Sequence, residues 1–110
     1  MASSNGNVPM NLPILASKNY DRWSSQMKVL FRFQEVLEVV NEGVKELGRQ
    51  PTDEQKVAYQ VSLKKDVKAL FLIQQCMDSD NWEKISTAET AKDAWDSLAR
   101  FYEGSGKLKK

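Results

Sequence analysis

Few side chains in this chain could do chemistry. Cys76 is its one thiol, and a thiolate nucleophile or zinc ligand is what it could offer. Either role needs partners, and the sequence contains no histidine, the residue that most often serves as activating base or as fellow zinc ligand. Cys76 also falls on the apolar part of a long helical pattern, where a thiol acts as a small buried hydrophobe. Carboxylates recur at i, i+3 in Glu35 with Glu38 and in Asp93 with Asp96. That spacing puts both acids on one helix face, and they read as surface charges. Gly43, Gly48, Gly104 and Gly106 do not form the G-x-x-x-x-G-K pattern that cradles phosphates. The expectation is a protein that is not an enzyme and takes no cofactor, metal or small-molecule substrate.

Three tryptophans invite another chemistry, the stacking of ligand rings or unpaired bases. Trp23 and Trp95 lie on the apolar faces of their helical patterns, and Trp82 is followed by Ile85 at i+3, so all three are expected to be packing anchors. Lysines 64, 65 and 68, with 107, 109 and 110, supply phosphate contacts, but a net charge of +1 is not that of a strongly basic domain. RNA binding through this segment is expected to be weak. From Asp78 to Glu103, seven acidic residues stand against Lys84, Lys92 and Arg100. This is either a solvated acidic face followed by a basic tail, or a pair of complementary patches that steer subunits together.

At 110 residues the chain is one domain at most, able to bury roughly two thirds of its unfolded surface. No run approaches the ~20 apolar residues of a membrane span, and the N-terminus lacks the basic start and apolar stretch of a secretory signal. A cytoplasmic or nuclear protein without membrane association is expected. Residues 1–8 have the small polar composition of a mobile terminus. A helical domain over 9–104 follows, opening with an extended arm, Met10 to Leu15, set by Pro9 and Pro13. Ser17 or Asn19 can cap a first helix whose Trp23, Met27, Leu30 and Phe31 share one face and which ends near Arg32 or Phe33. A short helix, Gln34 to Asn41, presents Val36, Leu37, Val39 and Val40 and stops at Gly43.

Thr52-Asp53-Glu54-Gln55 fits a capping box and opens the longest helix, running to about Met77. Its two apolar stripes, Tyr59, Leu63, Val67 and Leu70 beside Ala58, Val61, Ala69, Ile73 and Cys76, predict a helix covered on several sides. Asp80 or Ser79 caps a short turn carrying Trp82 and Ile85. Thr87 or Thr90 caps a last helix whose Ala91, Ala94, Trp95, Leu98, Phe101 and Tyr102 form one apolar face, ended by Gly104. With no alternating strand pattern, the fold class is all-α, a compact bundle of about five helices.

Several landmarks in fixed order add a resemblance. They are Leu12-Pro13-Ile14-Leu15, the helix start from Asn19-Tyr20 through Trp23, Met27 and Leu30, Glu38-Val39-Val40-Asn41-Glu42-Gly43, Ala94-Trp95-Asp96-Ser97-Leu98, and Tyr102-Glu103-Gly104-Ser105. Together they resemble the N-terminal region of the Gag polyprotein of plant copia-type LTR retrotransposons. The resemblance implies a capsid N-terminal-domain-like fold and self-association with other Gag subunits, weak for this segment alone, into virus-like particles that package element RNA. In that family RNA binding is associated with a downstream Cys/His zinc knuckle, which this sequence lacks. Relatives continue past residue 110, so 105–110 reads as a basic tail beginning a truncated helix. The alternative is a Gag-derived interaction module, domesticated or degenerate, that binds a protein or RNA partner. The fold-defining anchors are Tyr20, Trp23, Met27, Leu30, Trp82, Trp95, Leu98 and Tyr102, and the interface candidates are Phe33, Val36 and Val44.

Overall fold

Among the described residues the apolar periods of the sequence close into five α-helices and one π-helical turn. A computed structural model describes residues 11–104, with α1 at Tyr20–Phe33, α2 at Leu37–Glu42, α3 at Asp53–Gln75, α4 at Ser79–Ile85, α5 at Ala91–Ala99 and the turn at Arg100–Gly104. The expectations for residues 1–8 and 105–110 lie outside the described residues. The class is all-α, with no strand beyond one isolated bridge among the described residues.

That bridge fastens the extended arm. Leu15, fully buried, donates its N–H to the Cys76 carbonyl at 2.8 Å and accepts from the Asp78 N–H at 3.1 Å, pairing in parallel with Met77. The orphan carbonyl at the end of α3 thus finds a partner in the arm. The Trp23 indole N–H donates to the same carbonyl at 2.7 Å, so arm, α1 and α3 meet at one atom. Asn19 holds the N-cap position of α1 without capping it by its side chain. Its side chain instead accepts from the Ala16 N–H at 2.8 Å and donates to the Ile14 carbonyl at 2.9 Å, so it shapes the turn out of the arm.

The second helix begins at Leu37 rather than Gln34 because the chain first closes α1. Val36 N–H reaches the Phe31 carbonyl at 2.8 Å and Glu35 N–H the Arg32 carbonyl at 3.1 Å, with Glu35 at φ 62°. This is a Schellman closure. Gly43, at φ 76°, then turns the chain out of α2. The capping box at Thr52 and Gln55 is formed in both directions, at 3.1 Å and 2.9 Å. Asp78, rather than Ser79 or Asp80, caps α4, accepting from the Asn81 N–H at 3.0 Å. Of the two threonine candidates, Thr90 caps α5, accepting from the Asp93 N–H at 3.1 Å.

The core gathers the inner faces of α1, α2 and α5 with the C-terminal half of α3. Trp95 is its centre, edge-on to Phe31 at 5.2 Å and tilted against Trp23 at 5.4 Å between ring centroids. The expected burial of α3 on several sides does not occur. Only Asp66, Ala69, Leu72 and Ile73 of this helix are buried, because α2 and α5 cover one side of it. Val57, Val61, Val67 and Phe71 remain in solvent, Val67 at 67% exposure.

Candidate interaction surfaces

The groups with intrinsic reactivity are built into the structure. Cys76 ends α3 fully buried, and burial pushes its thiol up to about 11, so it is protonated at neutral pH and shielded from reagents. Asp96 pairs with Lys92 at 2.5 Å along α5, while Glu35 occupies the turn between α1 and α2. Asp93 and Asp96 line a shallow polar depression of about 240 Å³ together with Lys84 and Arg100.

The structure brings most of the anchor residues into one cluster. Tyr20, Trp23, Met27, Leu30, Trp95 and Leu98 are buried, and Tyr102 packs half-buried against them. Tyr20 stacks on Tyr102 at 4.8 Å and donates its hydroxyl to Glu103 Oε2 at 2.8 Å. Burial, then the neighbouring Glu103 carboxylate, raises the Tyr20 phenol well above its ordinary value. Burial likewise raises the Tyr102 phenol, although its hydrogen bond to Asn81 opposes the shift. Phe101, expected on the same face, is exposed. The π-helical turn closes i to i+5 and advances less per residue than an α-helix, which leaves Tyr102 beneath Leu98 and rotates Phe101 outward.

Trp82 corrects the anchor assignment, for it is 44% exposed. In the seven residues of α4 the inward positions belong to Asn81 and Ile85, and a residue one place on is turned by about 100°. Asn81 Nδ2 donates to Asp78 Oδ1 at 2.8 Å and to the Leu15 carbonyl at 3.4 Å, and Asn81 Oδ1 accepts from the Tyr102 hydroxyl. The backbone N–H and then the side-chain Nδ2 of Asn81, both donating to Asp78 Oδ1, hold the Asp78 carboxyl below its ordinary range. Val36, an interface candidate, is also corrected. At 1% exposure it is core, because the residue after a Schellman turn packs back on the helix it closes. Val44 is half-buried against the core, and Phe33 is 62% exposed.

Two residues that hold elements together were missed. Asn81 carries no signal in its neighbourhood. Asp66 does: it is the one acid in Lys64-Lys65-Asp66-Val67-Lys68, and it lies three and seven residues before Ala69 and Ile73, on the core-facing stripe. Its carboxylate accepts from the Ala91 N–H at 2.9 Å, a cap for α5 supplied from α3.

What remains for partners is helix surface. An apolar groove of about 420 Å³ runs between the arm and α1, lined by Pro13, Val29, Leu30 and Phe33 with Asn11 and Gln26. A depression of about 340 Å³ lies on the N-terminal half of α3, lined by Val57 and Val61 between Lys56, Gln60 and Lys64. No helix among the described residues is long and apolar enough to cross a membrane.

The description that matches this chain is the gag-polypeptide of LTR copia-type, over residues 27–110. Leu12 to Leu15 and Tyr20 to Trp23 lie before that match, joined to it by the Leu15, Trp23 and Tyr20 contacts above. No curated protein and no solved structure matches the chain. The match takes in the second half of α1 and every later helix among the described residues, so the chain belongs to the copia-type LTR gag-polypeptide family.

Proposed function

We propose that this domain is a non-enzymatic building block of a cytoplasmic Gag shell, whose copies associate through helix faces into virus-like particles that package element RNA. The observation that carries this reading is the set of large apolar side chains held outside the core of a Gag domain. They include Val29 and Phe33 on α1, Val57, Val61, Val67 and Phe71 on α3, and Trp82 on α4. A domain that binds its partners tightly one at a time needs a large continuous interface. Separate small patches serve repeated weak contacts, which become strong together in a closed array. Tyr20, Trp23, Met27, Leu30, Trp95, Leu98 and Tyr102 hold the helices that present those patches. With 16 basic against 15 acidic residues, the domain gives RNA only weak phosphate contacts, which salt dissolves.

The test is sedimentation and negative-stain imaging of this chain alone and joined to a downstream Gag segment, with RNA present. The chain alone stays mostly monomeric in dilute solution, and the longer protein forms particles. A longer protein that stays monomeric where a Gag control assembles defeats the shell reading and favours an interaction module for one protein or RNA partner.

A further inference from the structure

The outer face of α3 is unlike an ordinary solvated helix face. Beyond the two acids that open it, its exposed charged residues are all lysines, Lys56, Lys64 and Lys68, because Asp66 is turned inward to cap α5. Between Lys56 and Lys64 lies the apolar depression floored by Val57 and Val61. The converse surface is on α4. There Trp82 is 44% exposed, and exposed Asp80 and Glu83 stand beside it in sequence, within the acidic stretch of the chain. One surface is an apolar hollow between two lysines, the other an aromatic knob on a helix that carries Asp80 and Glu83, with Lys84 turned over the Phe101 ring.

These surfaces belong to opposite ends of α3. The depression lies in its N-terminal half, and α4 follows its C-terminus, with Val61 and Gln75 separated by fourteen residues, about 21 Å along the helix axis. We propose that the α3 depression docks a second copy of this chain, receiving its Trp82 between Val57 and Val61 with Lys56 and Lys64 against the partner copy's acidic α4. This rests on the reading of the domain as a self-associating Gag unit and specifies one of its contacts. Tryptophan is the side chain most enriched at the energetic centres of interfaces, and a lysine beside an indole adds cation–π attraction. The contact uses different patches on the two copies. It is therefore heterologous, and it extends into a ring or an open array instead of stopping at a pair. Its area is small, so it is weak between free chains.

Heterologous geometry has a signature that a two-fold contact lacks. Variant A, Lys56→Glu with Lys64→Glu, loses the hollow and keeps the knob. Variant B, Trp82→Ala with Glu83→Lys, loses the knob and keeps the hollow. All four positions are exposed, and circular dichroism and melting of each variant establish that the fold is retained. In sedimentation across a concentration series of the whole chain, wild type shows an average mass that climbs without a plateau. A and B each associate at least tenfold more weakly. Mixed in equal amounts, they form a species that stops at two chains. Overturning results are a wild type that does not associate, a variant B that associates like wild type, or a mixture with no pair. The Gag-assembly reading fails separately. If the chain pairs as described but the extended protein yields no particles, that reading falls and the contact stands. If particles form in undiminished yield with Trp82→Ala, the contact falls and the reading stands.

Discussion

Asp66 shows how one side chain can join two helices. Its carboxylate lies on the inner face of α3 and meets the first N–H of α5, where the helix dipole favours negative charge. Asp66→Ala leaves that buried N–H without its acceptor, which costs roughly 1–3 kcal/mol. Asp66→Asn keeps an acceptor oxygen and loses less, and urea unfolding of the two variants checks the order. Glu35 presents the opposite case, a residue that folding tolerates. It adopts φ 62°, a conformation in which an L side chain crowds the following carbonyl at a cost of roughly 1–2 kcal/mol. Glycine there sheds that crowding but brings more freedom to the unfolded chain. Glu35→Gly is expected to stabilise by about 0.5–1 kcal/mol, visible as a higher melting temperature. A melting temperature that falls would show that the Glu35 side chain contributes more than its backbone costs. Neither residue is conspicuous in sequence. Asp66 looks like one charge among lysines, and a left-handed glutamate has no composition signal because glycine and asparagine are the usual occupants.

The elements were legible to different degrees, for reasons their residues make plain. Amphipathic α1 and the capped starts of α3 and α5 follow from local chemistry: Trp23, Met27, Leu30 and Phe31 share one side, and the Thr52 box and Thr90 cap are short-range hydrogen bonds. The start of α2 was displaced because Val36 is used to close α1, which periodicity cannot reveal when Val36, Leu37, Val39 and Val40 crowd one short stretch. In α4 the inward position went to Asn81 and not Trp82, since the arm offered a carbonyl at Leu15 and the last turn a hydroxyl at Tyr102. Those partners come from 66 and 21 residues away. For α3, two apolar stripes looked like cover on several sides, yet the described residues hold too few other helices to supply it. Val67→Lys is therefore expected to change stability by no more than about 0.5 kcal/mol, as surface substitutions do. Ile73→Ala, on the opposite face, should cost roughly 2–5 kcal/mol. Equal losses in thermal unfolding would mean that the outer face of α3 is covered after all. The surfaces offered to partners were the least legible feature, because they are what the core leaves over and can be read only once it is known.

At the scale of the whole molecule, the end of α3, the arm and the closing turn form one buried junction, and its groups respond to alkali. Cys76 is fully buried at that junction. Burial raises its thiol from 9.0 to about 11, which fixes the sign of the response. As pH rises past 9, the unfolded chain gives up the thiol proton while the folded chain keeps it. The unfolded state then binds fewer protons, and stability falls with pH. The contribution of the neutral thiol is complete below about 9 and is lost as the pH climbs to about 11. Tyr20 moves in the same direction, from an ordinary value of 10.0, and adds a further loss at higher pH. Denaturant unfolding at a series of pH values between 8 and 11 should therefore give a declining stability for the parent chain. Cys76→Ala should start lower, from the atoms it removes from the core, but decline less steeply over the window from 9 to 11. Tyr20→Phe should differ from the parent in slope only above 10. Parallel curves for parent and Cys76→Ala would mean that the thiol ionises as freely in the folded chain as in the unfolded one. The junction would then open to solvent, and the arm at Leu15 would not hold α1 and α3 together.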